Sequence, residues 1–97
     1  MESKDNEKYM TYYVYALRNS QNKLYIGQTK NLEERLARHN TKQGARFTKD
    51  NKDFRLVYSE ECADLQRAMS RERQLKGWSR AKKEALIAGD FELLKKL

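Results

Sequence analysis

Residues Leu65, Ala68, Met69, Glu72 and Leu75 fall at offsets of 0, 3, 4, 7 and 10, the spacing at which side chains share one face of an α-helix. Four of the five are apolar, so this stripe should be the one turned to the core, and Glu72 stands in its middle. A carboxylate there constrains a small chain tightly, because a buried, unpaired carboxylate is costly enough to take a cation or shift its pKa. The other charged residues of the same segment are arginines and lysines on its outer faces. The pattern therefore predicts a partner for Glu72 from elsewhere in the fold, or a metal ion.

The remaining elements follow from periodicity and turn chemistry. Met10 to Leu17 and Lys23 to Gln28 are short runs rich in aromatic and β-branched residues, and Asn19-Ser20-Gln21-Asn22 between them is turn chemistry, so a β-hairpin is predicted. Asn31 with Glu34 three residues on is an N-cap pair opening a helix in which Leu32 and Leu36 face the core and Arg35 and His39 share a neighbouring face. Phe54 to Tyr58 reads as a third strand. Asp64 caps the Glu72 helix, with Gly77 as its left-handed stop. Ser79 caps a further helix ending near Gly89, and Asp90 starts a last turn or two over Phe91 to Leu97. The order β-β-α-β-α-α predicts an α+β domain, a small three-stranded antiparallel sheet flanked by helices.

Upstream of Glu72 stand Tyr13-Val14-Tyr15 and Tyr25-Ile26-Gly27, then Arg35 and His39. Two tyrosine-bearing triplets ten residues apart, an Arg ten residues after the second, and a Glu on a later helix closely resemble the GIY-YIG nuclease family. The second triplet matches literally. In the first, Tyr13 replaces the usual Gly, while Tyr15, the residue that carries the role, is kept. The wording of Lys23 to Asn40, Lys42 to Thr48 and Arg71 to Ile87 is similar to the small single-domain bacterial branch, and the resemblance spans Tyr12 to about Asp90.

Charge agrees with a polyanion as partner. The chain carries 21 Lys and Arg against 14 acids, net +7, and the excess clusters. Residues 28–58 hold eight basic and four acidic side chains and residues 66–83 hold seven against one, so both basic stretches flank the proposed site. Ninety-seven residues leave room for one domain, read as 9–97 behind a disordered polar lead of residues 1–8. No apolar run approaches the roughly 20 residues of a membrane span, and Met1-Glu2-Ser3-Lys4-Asp5 lacks a signal peptide's apolar core. Cys62 is the sole cysteine, so neither an internal disulfide nor a CxxC metal site can form. A reducing cytoplasm is the expected compartment.

Taken singly, the site candidates have plain structural readings. Tyr15 and Tyr25 serve as strand aromatics, Gly27 relieves a bulge, Arg35 and the lysines are solvated charge, a lone His39 is a structural hydrogen-bonder, and Trp78 plugs the core. Their combination points to phosphodiester chemistry, whose transition state concentrates negative charge on phosphoryl and leaving oxygens. Glu72 suits a single protein ligand to Mg²⁺ or Mn²⁺, which keep several waters and accept one or two carboxylates plus phosphate. Arg35 suits a rigid fork on a phosphate oxygen. Tyr15 and Tyr25 orient or deprotonate the attacking water, although a phenol with a pKa of about 10 needs help from the metal or Arg35; the resemblance implies Tyr15 as base and Tyr25 as orienting hydroxyl. His39 can hydrogen-bond phosphate or a tyrosine.

The long polar connection Asn40 to Asp53 carries Lys42, Arg46 and Lys49 around Phe47, a basic and aromatic mixture suited to a flexible polynucleotide; Phe47 serves equally well as a core anchor. With Gly27 and Lys30 these three form the predicted nucleic-acid contacts. The reading is a metal-dependent endonuclease acting on nucleic acid, DNA favoured over RNA, in repair or recombination, with no small-molecule cofactor. The alternative is a noncatalytic nucleic-acid-binding module using the same basic surface. Tyr15, Tyr25, Arg35, His39 and Glu72 should converge on one concave, partly open surface, with Glu72 and Arg35 on the same side of the sheet.

Overall fold

The computed structural model describes residues 11–39 and 54–97. Within them run β1 (Tyr12–Arg18), β2 (Leu24–Thr29), α1 (Leu32–His39), β3 (Arg55–Cys62), α2 (Leu65–Lys76), α3 (Arg80–Ala88) and α4 (Phe91–Lys96). The strands form one antiparallel sheet in the order β2-β1-β3, the architecture predicted. The polar lead of residues 1–8 and the 40–53 connection, with Lys42, Arg46 and Lys49, lie outside the described residues. Among those described, no helix is long and apolar enough to cross a membrane.

The hairpin turn is built by Asn19. Its buried side-chain carbonyl accepts from the amides of Gln21 (3.0 Å) and Lys23 (2.9 Å), so the turn's orphan donors are satisfied internally. Asn22 takes the positive φ of 67° that closes it, a conformation asparagine tolerates.

β1 is the central strand and is covered on both faces. Val14, Tyr15, Ala16 and Leu17 are all buried, which a half-exposed strand would not show. Val14 and Ala16 point to a core shared with Ile26, Ala68 and Leu75 of α2 and Leu86 of α3. Tyr15 and Leu17 point the other way, to Phe54 and to Leu32 and Leu36 of α1. Burying each Val or Leu side chain in this way contributes about 1.5–3 kcal/mol.

β3 runs to Cys62, four residues beyond the predicted end at Tyr58, because its polar half pairs with the start of β1 through Tyr12–Cys62 and Val14–Glu60. Its register shifts between Ala16, opposite Tyr58, and Leu17, opposite Leu56. Val57 is the extra residue. The bulge lets both Val57 and Tyr58 pack on the α2 and α3 side.

Side-chain caps fix the helix starts. Asp64 accepts from the Arg67 amide at 2.8 Å, Ser79 from Lys82 at 3.2 Å and Asp90 from Leu93 at 3.1 Å. Gly77 corrects the sequence reading: it sits at φ −84°, ψ −7°, in right-handed space, so α2 ends without a left-handed residue. The left-handed cap is Gly89, at φ 73°.

Two charged clusters clamp the periphery. Arg18 of β1 grips Glu84 of α3 at 2.9 and 2.8 Å, and Arg80 joins at 2.8 Å while donating to the Asn22 carbonyl at 2.6 Å. On β3, Glu60 accepts from Tyr58 and takes Arg71 of α2 at 2.7 and 3.2 Å. Arg71 and Lys82 both stand over the Trp78 ring, at 5.4 and 5.2 Å. Trp78 itself packs, partly buried, against the core that Val14, Ala16, Leu75 and Leu86 share.

Candidate active site

Tyr15 and Gly27 are direct cross-strand partners in the hairpin. The phenol lies over the glycine so closely that a β-carbon at position 27 would stand 2.5 Å from the hydroxyl oxygen and 2.7 Å from Cζ. The space that glycine leaves is filled by Tyr15, which is only 1% exposed.

Arg35 reaches the same phenol from α1. A relay of short-range bonds sets that helix's start: the Asn31 amide donates to the Thr29 hydroxyl at 3.1 Å, and the Asn31 side chain caps the Glu34 amide at 3.0 Å. Leu32 and Leu36 then anchor the helix on the sheet, and this brings the Arg35 guanidinium close enough to the Tyr15 hydroxyl to act on its titration. Burial pushes the Tyr15 phenol above its ordinary 10.0, the Arg35 charge opposes that, and nearby Tyr25 and Glu72 add to the rise. Arg35, Tyr25 and Glu72 are therefore each close enough for their charges to act on the Tyr15 phenol.

Tyr25 differs from Tyr15 in its surroundings. It is 43% exposed, and its ring rests against Phe54 at 5.9 Å and 54°. Of the two hydroxyl-bearing rings, Tyr25 meets solvent and Tyr15 meets the protein.

Glu72 departs from expectation in two ways. The helices carrying it and Arg35 pack on opposite faces of the sheet, since α2 covers Val14 and Ala16 while α1 covers Tyr15 and Leu17. Tyr15 reaches across Gly27 of β2, an outer strand, and this is how the two charges come to act on one phenol. Secondly, the partner of Glu72 is on its own helix: Lys76 Nζ lies 2.8 Å from Glu72 Oε2. Only Ala68 and Leu75 of the apolar stripe are buried, while Leu65 and Met69 are exposed. Glu72 consequently sits at the stripe's margin, its side chain 21% exposed, where an i,i+4 lysine can reach it. That spacing, Glu preceding Lys by four, is the signal that identifies Lys76 from sequence.

The surroundings are grooved and basic. Arg35 lines one depression with Tyr12, Gln28, Lys30 and Leu65, and Glu72 lines another with Met69, Arg73 and Lys76. His39 closes α1, but its side chain lies outside what the structure describes, as do Lys42, Arg46 and Lys49. Burial pushes the Cys62 thiol above its ordinary pKa, which disfavours the thiolate.

Among the described residues no three His, Cys, Asp or Glu side chains converge, so no cage for a metal is preassembled. The donor set fits a hard divalent ion held by one partly open carboxylate, with waters and substrate phosphate completing its shell.

A family model described as the GIY-YIG catalytic domain matches residues 11–85. The UPF0213 protein of Natronomonas pharaonis is 40% identical over 79 residues, covering 81% of this chain and 93% of that one. The UPF0213 protein of Syntrophus aciditrophicus is 45% identical over 76 residues, 77% of this chain and 87% of its own. The solution NMR structure of a UPF0213 protein from Bacillus halodurans superposes with a TM-score of 0.54 at 34% identity, over 81% of this chain and 84% of that one. Paired tyrosines on the hairpin, one of them seated on the glycine of the second triplet, together with this sequence and structural kinship, place the chain in the GIY-YIG family, among its small UPF0213 members.

Proposed function

We propose that this protein is a divalent-metal-dependent endonuclease that hydrolyses phosphodiester bonds in nucleic acid, DNA in the first place. The observation that carries the reading is the buried Tyr15 hydroxyl, seated over Gly27, with the Arg35 charge favouring its ionised form against burial, Tyr25 and Glu72.

A neutral phenol cannot take a proton from water, so Tyr15 acts as general base only as phenolate. Burial opposes that form and the Arg35 guanidinium favours it. Arg35 is the fixed positive charge of the site, able to steady the phenolate with one edge of its fork and a phosphate oxygen with another. Half-exposed Tyr25 orients the attacking water from the solvent side. Glu72 holds the divalent ion, which when bound supplies Lewis acidity at the phosphoryl oxygens. Lys30 and the basic residues 42, 46 and 49 hold the polynucleotide backbone.

Glu72→Gln keeps the side chain's shape and removes its charge. Cleavage of single-stranded, duplex and branched DNA in Mg²⁺ or Mn²⁺ should fall by two or more orders of magnitude, in the range of lost electrostatic stabilisation at a reacting centre, about 10²–10³. Gel-shift affinity and the thermal midpoint should hardly move. A Glu72→Gln protein that cuts like the wild type, or a wild type that cuts no nucleic acid with any metal, returns the chain to a noncatalytic binding module, for which the neutralised Glu72–Lys76 pair is equally suitable.

A further inference from the structure

We propose that Lys76 is a substrate-contacting residue of this site, its ammonium passing from Glu72 to a nonbridging phosphate oxygen of the bound strand when a divalent ion takes the carboxylate. The inference rests on the endonuclease reading for its context but stands on its own geometry.

Lys76 Nζ is 2.8 Å from Glu72 Oε2, and its side chain is 55% exposed against 21% for Glu72. The ammonium therefore lies toward solvent from the carboxylate. Both residues line the same open depression with Arg73. The Lys76 ammonium is held in its charged form chiefly by its hydrogen bond to Glu72, with lesser electrostatic contributions from Tyr25 and Tyr15.

Two other charged clusters differ in kind. Arg18 and Arg80 share Glu84, and Arg71 grips Glu60 in fork geometry, each between elements or within a network. Glu72 is the acid wanted by a metal, and an exposed i,i+4 pair is weak enough to yield it. A released lysine ammonium is a compact, mobile charge on a flexible stem, suited to following a phosphate rather than fixing a plane. Without the exchange, a divalent ion and an ammonium would compete for one carboxylate. With it, both cations serve the same dianionic centre of phosphate and carboxylate.

The test uses Lys76→Met, which keeps the apolar stem, and Lys76→Arg, which keeps the charge. Mn²⁺ titrated into the free protein by calorimetry should bind Lys76→Met about twofold or more tightly than wild type, because no ammonium competes. A short single-stranded DNA in Ca²⁺ should bind Lys76→Met roughly tenfold more weakly, with the logarithmic salt slope reduced by about one. Lys76→Arg should restore the slope. Unchanged Mn²⁺ affinity, or unchanged DNA affinity and slope, in a folded Lys76→Met protein overturns the proposal and leaves the pair a helix-surface contact. Neither readout needs turnover, so a wild type that never cleaves would remove the endonuclease reading while these titrations still decide the role of Lys76.

Discussion

At Gly27 the missing side chain is a structural requirement imposed by a neighbour. A methyl group there would meet the hydroxyl oxygen of Tyr15 at 2.5 Å and the ring at 2.7 Å, and the ring, 1% exposed, has little room to retreat. Gly27→Ala should destabilise the chain by about 1–3 kcal/mol, the range of overpacked cores. It should also pull the hydroxyl from Arg35, lowering kcat/KM by more than the stability loss alone would. Thermal melts and steady-state cleavage of the same preparation separate the two effects; a Gly27→Ala protein with wild-type melting and turnover would mean the phenol is not seated as described. The same glycine explains why Tyr15 and Tyr25, alike in sequence context, have unlike surroundings: one ring is pressed onto the hairpin and the other rests on Phe54 with an exposed flank.

Among the elements, the helix ends separate two glycines. Gly89 holds a φ of 73° with nothing within 4 Å of a would-be β-carbon, so substitution there is a matter of backbone strain alone. Gly89→Ala should cost about 1–2 kcal/mol. Gly77 is in right-handed space, and its β-carbon would meet only the carbonyls of Gln74 and Arg73 at 3.6 and 3.7 Å. Gly77→Ala should therefore be neutral, or stabilise by about 0.4–1 kcal/mol through the unfolded chain's lost freedom. Differential scanning calorimetry on both variants checks the contrast. α2 stops at Gly77 because Ser79 begins a new capped helix two residues on, its hydroxyl claiming the Lys82 amide.

For the molecule as a whole, the Arg18–Glu84–Arg80 cluster ties the hairpin turn to α3 across 66 positions of chain. The hydrogen bond from Arg18, reinforced by Arg80, holds the Glu84 carboxyl at about 2, against an ordinary 4.5. A depressed carboxylate contributes stability above its unfolded pKa and loses it as pH falls through the folded one. The protein should accordingly lose stability between pH 4.5 and about 2. Glu84→Gln should be less stable at neutral pH and show a flatter acid limb. Melting temperatures taken through that window give the comparison; parallel curves would show that the cluster carries no linkage.

The hairpin, the four helix caps and the order of strands and helices were legible along the chain, whereas Leu65 and Met69 of the stripe expected to face inward are exposed. Each legible feature is a local matter. A turn asparagine satisfies amides two and four residues away, a cap serves an amide three residues on, and apolar spacing selects the inward face. What stayed hidden needed distant partners. Glu60 and Glu61 look like a strand's end, yet their pairing with Val14 and Tyr13 carries β3 through them, and Glu60 is neutralised by an arginine eleven residues on. Glu72 was legible as a misplaced charge. Whether its answer came from Lys76 or from across the fold depended on how far α2 turns its stripe inward, and that is set by packing against Val14 and Ala16. Nor can spacing tell that α1 and α2 lie on opposite faces of the sheet with their charges meeting at one phenol. Periodicity and caps act over a few residues of chain, whereas burial and charge pairing act through space, so the first are written in the sequence and the second appear only once the sheet has brought its strands together.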